Sequence, residues 1–104
     1  MKESVLKRHI LSYLSVCGIF AWNSRTTGVW NAKTGHFIPS QCRGCPDILG
    51  VMPGGRIIAI EVKIKGNKPT FLQLGFIEMI NSKGGLAFVA YSLDDVETRI
   101  KEGK

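Results

Sequence analysis

Between residues 3 and 17 the apolar positions Val5, Leu6, Ile10, Tyr13, Leu14 and Cys17 recur three and four apart, the spacing of a helix that buries one stripe. Gly18 ends it. Ile19 to Asn23 reads as a strand, and Val29-Trp30 resumes β-type composition after a polar turn over Ser24 to Gly28. From Asn31 to Gly44 the chain is polar and punctuated by Gly and Pro, a loop with room for one short strand. Asp47 to Met52 and Arg56 to Ile64 are β-branched apolar runs on either side of Pro53-Gly54-Gly55, a hairpin signal. In the second run Ile58, Ile60, Val62 and Ile64 share one face, while Ile57, Ala59, Glu61 and Lys63 share the other. Thr70 and Gln73 match a capping box that opens a helix to about Asn81, with Phe71, Leu74, Ile77 and Ile80 at helical spacing. Gly84-Gly85 ends that helix, Leu86 to Tyr91 reads as a short buried strand, and Ser92 and Asp95 suggest a second capping box for a last helix to about Lys101. The order α-β-β-β-α-β-α predicts an α/β domain on one mixed β-sheet flanked by helices.

The 104 residues fit a single domain, residues 1–104, because halves of that length would bury too little apolar surface to offset chain entropy. A chain that is 44% hydrophobic and 21% charged is not disordered by composition. No stretch approaches the length of a membrane span, and Met1-Lys2-Glu3 leads into an amphipathic pattern instead of a signal-peptide core. The expected place is the cytoplasm, that of the host cell if the protein is phage-encoded. The formal charge of +6 favours polyanionic partners, nucleic acid or an acidic membrane surface, without selecting one. Cys17, Cys42 and Cys45 are an odd number and suggest free thiols in a reducing compartment.

Strand geometry then singles out three residues. Glu61 and Lys63 lie two apart and project side by side. If Pro53-Gly54-Gly55 is a three-residue loop, Met52 pairs with Arg56 and, counting back, Asp47 pairs with Glu61, their β-carbons ~5 Å apart. A two-residue loop without a bulge would break that register. Facing carboxylates destabilise a sheet unless a positive charge sits between them, and a hard divalent cation such as Mg²⁺ or Mn²⁺ suits such oxygen donors. A metal so held polarises a phosphoryl oxygen and acidifies a bound water, and Lys63 can hold that water or stabilise charge developing at phosphorus. The plain alternative is a solvated ion pair at a strand end. On the first helix Glu3 falls within about 20° of Ile10 and Leu14, on the inward stripe. A first-turn acid favoured by the helix dipole accounts for it equally.

Pro46-Asp47 followed by Glu61-Val62-Lys63 resembles the PD-(D/E)xK nuclease motif. The wider run Gly44 to Leu49, Gly54-Gly55-Arg56, Ile60 to Lys63, Gly66, Thr70, Gln73 and the strand from Gly84 to Tyr91 is similar to the virus-type replication-repair nuclease (VRR-NUC) branch of that superfamily. The resemblance runs from the first helix to the last and implies a restriction-endonuclease-like core. It implies that Asp47 and Glu61 hold the divalent metal with the main-chain carbonyl of Val62, that Lys63 is the catalytic lysine, and that Glu3 is an additional metal-site carboxylate. Gln73 matches a family glutamine near the site, and its capping role with Thr70 competes with that. Thr70 stands where the family often has Ser, and residues 31–41 have no firm counterpart. The resemblance further implies a homodimeric, structure-selective DNA endonuclease acting on branched DNA such as four-way (Holliday) junctions in DNA repair; a twofold dimer suits paired cuts in such a junction. Trp22, Trp30, Phe20 and Phe37 are candidates for a dimer surface, for base stacking, or for plain core. Arg25, Arg56, Lys65 and Lys68 are the candidate phosphate contacts, or merely solvated charges.

Other readings compete. Cys42-x-x-Cys45 has the spacing of half a zinc site, with His36, Cys17 or His9 as further ligands, although zinc motifs usually show two such pairs. A redox CxxC would open a helix, whereas Pro46 leads into a strand. The other functional classes are a non-catalytic DNA-binding module and, among nucleases, a flap- or end-directed or restriction-like enzyme.

Overall fold

The computed structural model describes residues 1–24, 29–38 and 42–103; Arg25 lies outside them, as do the side chains of Trp30 and Phe37. Helix α1 spans Glu3–Val16, followed by strands β1 (Phe20–Asn23), β2 (Val29–Asn31), β3 (His36–Ile38), β4 (Ile48–Val51) and β5 (Ile57–Val62). Helix α2 (Phe71–Ser82), strand β6 (Leu86–Ala90) and helix α3 (Leu93–Glu102) complete the chain. The main sheet has the order β1-β4-β5-β6. β1, β4 and β5 are antiparallel neighbours, and β6 runs parallel to β5, which requires a crossover, supplied by α2. Along this sheet the elements follow the expected α-β-β-β-α-β-α order.

The hairpin arithmetic holds. Met52 N–H donates to the Arg56 carbonyl at 2.8 Å, Gly55 N–H donates back to Met52 at 2.9 Å, and the ladder pairs Val51 with Ile57 and Ile48 with Ile60. Gly54 and Gly55 sit at φ of 95° and 90°, a region closed to most side chains, so this three-residue turn depends on both. The two faces of β5 also separate as its alternation requires. Ile58, Ile60 and Val62 pack with Leu6, Ile10 and Leu14 of α1 and Val96 and Ile100 of α3. Ala59 on the other face packs with Ala87 and Ile77 of α2. Asn81 ties α2 to the start of β6, donating to the Ala87 carbonyl at 2.9 Å and accepting its N–H at 2.8 Å.

Three local expectations change. The segment after residue 28 forms a two-stranded antiparallel ribbon, β2 with β3, separate from the main sheet. Asn31 organises its turn, its side-chain oxygen accepting Lys33 N–H at 3.0 Å and its carbonyl accepting Gly35 N–H at 2.9 Å. Val29-Trp30 carries the expected β-type composition and β3 is the one short strand that the following loop had room for, but three residues are too few to show which sheet a strand joins. The apolar stripe on α2 is only half used: Ile77 is buried, whereas Phe71 is 89% and Leu74 49% exposed. Leu72 and Met79 are exposed too, so α2 carries more apolar positions than β5 and β6 cover. Finally, Ser92 accepts Asp95 N–H at 3.2 Å, but the Asp95 carboxylate accepts Tyr91 N–H at 2.8 Å, one residue before the cap. The second box is therefore half a box, while the Thr70–Gln73 box is complete. Among the described residues no helix is long and apolar enough to cross a membrane.

Candidate active site

The ends of β4 and β5 bring the expected carboxylates together. Asp47 immediately precedes β4, and extending the Ile48–Ile60 register by one residue sets it beside Glu61. Both are fully buried. Asp47 is held from two directions. Its Oδ2 accepts Val62 N–H at 3.0 Å, and its carbonyl accepts Ser24 N–H at 2.8 Å. The Ser24 hydroxyl donates to the adjacent Pro46 carbonyl, so the end of β1 clamps the Pro46-Asp47 peptide. Gly44 supplies the approach: at φ 78° a β-carbon there would stand 2.7 Å from the Leu72 carbonyl oxygen, and only glycine lets this loop pack on the first turn of α2.

A strand residue presents its N–H and C=O to the same side. Lys63 N–H donates to Ala90 of β6 at 3.0 Å, so the Val62 amide and carbonyl face the opposite side, where Asp47 lies. Three oxygen-bearing groups thus gather at one end of the sheet: the Asp47 carboxylate, the Glu61 carboxylate and the Val62 carbonyl. Lysines balance the buried acids. Lys63 Nζ is 3.7 Å from Glu61 Oε2, and Lys7 Nζ is 3.4 Å from Asp47 Oδ1. Both side chains are largely covered, at 14% and 17% exposure.

Lys7 and Ser24 did not emerge from the sequence. The signal for Lys7 was its position four residues after Glu3, an ordinary helical ion-pair spacing, with nothing to show that it reaches Asp47. Glu3 itself is 3.8 Å from Lys7, so it joins the site through that lysine. Among the described residues no three His, Cys, Asp or Glu side chains gather in metal-holding geometry. Glu3 therefore does not complete a carboxylate triad with Asp47 and Glu61, and Cys42 and Cys45 have no third ligand there from His9, Cys17 or His36. Burial and a hydrogen bond with Cys42 push the Cys45 thiol up to about 11, which disfavours its thiolate in the metal-free protein.

Gln73 is buried, and its side-chain oxygen accepts Thr70 N–H at 2.8 Å while Thr70 Oγ1 accepts Gln73 N–H at 3.2 Å. Its geometry is that of the cap. Lys65 and Lys68 are exposed just beyond β5 and line a cleft of about 390 Å³ with Asn67 and Tyr91. Arg56 is placed differently from the sequence expectation. It lies at the opposite end of β5, where its guanidinium donates to the carbonyls of Gly84 (2.9 Å), Gly103 (2.7 Å) and Gly85 (3.3 Å). It ties the ends of α2 and α3 together, away from Asp47 and Glu61. An apolar cavity of about 530 Å³ also lies at that far end, lined by Tyr13, Cys17, Met52 and Ile100, and holds none of these carboxylates.

No family model matches the sequence. A solved structure of a VRR_NUC domain superposes with a TM-score of 0.68 at 24% identity, covering 95% of this chain and 94% of that one. The chain has the VRR-NUC fold. The restriction-endonuclease-like α/β core expected from sequence is thus the one observed. Among sequence relatives, a protein of Acyrthosiphon pisum secondary endosymbiont phage 1 named "Putative nuclease p44" is 31% identical over 74 residues, 71% of this chain. The matched stretch spans 66% of that relative's length, just under two thirds. In this fold Pro46-Asp47 enters β4 where Glu61-Val62-Lys63 leaves β5.

Proposed function

We propose that this VRR-NUC chain is a divalent-metal-dependent DNA endonuclease that hydrolyses phosphodiester bonds in branched DNA, four-way junctions included, and that it works as a homodimer in the cytoplasm. The observation that carries the reading is the pair of fully buried carboxylates, Asp47 and Glu61, at adjacent strand ends with Lys63 beside them. The donor set fits Mg²⁺ or Mn²⁺: all donors are hard oxygens, and Mg²⁺ is commonly held by one or two carboxylates with water completing its shell. Asp47, Glu61 and the Val62 carbonyl would hold it, with Glu3 as a more distant carboxylate. When bound, such an ion activates a water and neutralises phosphoryl charge.

The chain's own groups do the rest. The Val62 amide fixes the Asp47 carboxylate, so the site is organised before substrate arrives. Lys63 places an ammonium where it can orient the attacking water or stabilise charge on the phosphoryl oxygens. Lys65, Lys68 and Arg25 are the proposed contacts to flanking phosphates, which position the backbone without reading sequence. Phe20 and Trp22 make a tilted ring contact, 5.3 Å between centroids, and are 73% and 41% exposed, with Ile57 exposed on the same sheet face. That apolar face is the proposed dimer surface.

The test is cleavage of linear, flap, fork and four-way DNA in Mg²⁺ and in Mn²⁺. Paired symmetric nicks confined to the four-way substrate are expected. Asp47→Asn, Glu61→Gln and Lys63→Ala should each abolish cleavage while keeping the fold and much of the DNA affinity. Cutting at flaps or ends alone would replace junction resolution with a flap-directed activity. Binding with no cleavage by the wild type would make the chain a DNA-binding module, and an active Lys63→Ala enzyme would overturn the mechanism.

A further inference from the structure

The two oxygens of the Asp47 carboxylate are engaged differently. Oδ2 accepts the Val62 amide at 3.0 Å, while Oδ1 faces Lys7 Nζ at 3.4 Å. Lys7 is on α1, one turn after Glu3, and its ammonium stands 3.8 Å from the Glu3 carboxylate. Its side chain is 17% exposed, so the charge is held at the site instead of being dispersed in bulk water. Both separations exceed the 2.7–2.9 Å typical of a short charge-assisted hydrogen bond. Lys7 is therefore poised between two acids and locked to neither.

We propose that Lys7 is a resident counter-ion of the metal site, neutralising Asp47 in the metal-free protein and shifting its ammonium to Glu3 when Asp47 holds a divalent cation. This rests on the metal-dependent reading above. A monocation and a dication at one carboxylate would repel strongly where water is largely excluded, so a metal held by Asp47 would favour withdrawal of Lys7. Glu3 sits where a withdrawing ammonium finds a partner with only a change of side-chain rotamer. The arrangement keeps a buried carboxylate compensated in both states. It also gives Glu3 a part in metal binding without being a ligand.

The test is Mn²⁺ binding by calorimetry, with thermal unfolding of the same proteins with and without Mn²⁺. Lys7→Met should bind Mn²⁺ about tenfold more tightly than the wild type, because the Lys7 ammonium no longer competes for Asp47. Glu3→Gln should weaken binding about threefold in the wild type yet change little in the Lys7→Met background, the non-additivity expected of residues acting as one unit. Without metal Lys7→Met should melt below the wild type, and saturating Mn²⁺ should close that gap. Lys7→Gln, which keeps a hydrogen-bonding head without charge, serves the same comparison if Lys7→Met does not fold. Equal or weaker Mn²⁺ binding by the Lys7 variants, or a melting gap that Mn²⁺ leaves unchanged, would overturn the counter-ion role while the metal site stands. Equal loss of affinity on Glu3→Gln in both backgrounds would make Glu3 a ligand and also overturn it. Asp47→Asn should lose the Mn²⁺ site; if it binds as the wild type does, or if no form of the protein binds, the metal reading fails and the counter-ion role with it.

Discussion

Asp47 is both a candidate ligand and a structural acceptor, and these roles separate by substitution. The carboxylate accepts the buried Val62 N–H at 3.0 Å, and a buried amide left without its acceptor costs roughly 1–3 kcal/mol. Asp47→Asn retains an oxygen at that position, whereas Asp47→Ala does not. Urea unfolding should therefore find Asp47→Ala less stable than Asp47→Asn by about 1–3 kcal/mol, although both are expected to be inactive. Equal stability of the two variants would mean that the Val62 bond contributes nothing to the fold. Gly44 makes the complementary case, with no chemistry of its own. Its φ of 78° and the 2.7 Å approach to the Leu72 carbonyl oxygen leave no space for a β-carbon. Gly44→Ala should lose roughly 1–3 kcal/mol of stability and, by shifting the loop that delivers Asp47, should reduce cleavage further than the stability loss explains. Full activity in the folded Gly44→Ala protein would show that the loop tolerates the shift.

Arg56 shows how elements are tied together and why sequence alone did not place it at the far end of β5. Its guanidinium bonds the carbonyls of Gly84, Gly85 and Gly103, which sit where α2 and α3 end and where a cation also meets the negative end of a helix dipole. Arg56→Ala should lower stability by about 1–2 kcal/mol and leave DNA affinity nearly unchanged, whereas Lys65→Ala and Lys68→Ala should weaken binding and flatten its salt dependence. A steep loss of DNA affinity in Arg56→Ala would restore it to the interface. The contrast tracks what a chain can reveal locally. Pro53-Gly54-Gly55 marks the turn locally, and its three-residue length, one of two that the sequence allowed, brings Asp47 to Glu61 across β4 and β5. The Thr70–Gln73 box is written within four residues. Arg56 with Gly103, Lys7 with Asp47 and Ser24 with Pro46 are contacts between distant parts of the chain, and no periodicity announces them. The exposed Phe71 and Leu74 fail for a related reason: a helix wheel shows which face is apolar, not how much sheet lies beneath it.

Those uncovered apolar positions become informative when the whole molecule is considered. β1 is an edge strand of the main sheet, and Phe20, paired across to Val51 and through it to Ile57, lies on the same sheet face as Trp22. α2 packs over β5 and β6 on that side, leaving Phe20, Trp22 and Ile57 exposed, and the exposed Met79 of the helix lines a surface cleft with Ile57. A chain of formal charge +6 repels a second copy, so association must come from apolar burial, and a stable interface needs about 1,200–2,000 Å² in total. Light scattering of the wild type should give twice the 11.5 kDa chain mass. Trp22→Glu, which places a charge in the middle of the apolar face, should give the single-chain mass and convert paired junction cuts into single nicks, because each chain carries a complete set of Asp47, Glu61 and Lys63. A Trp22→Glu protein that keeps the doubled mass but loses DNA affinity would assign Phe20 and Trp22 to base stacking, and a wild type of single-chain mass would remove the dimer from the proposal altogether.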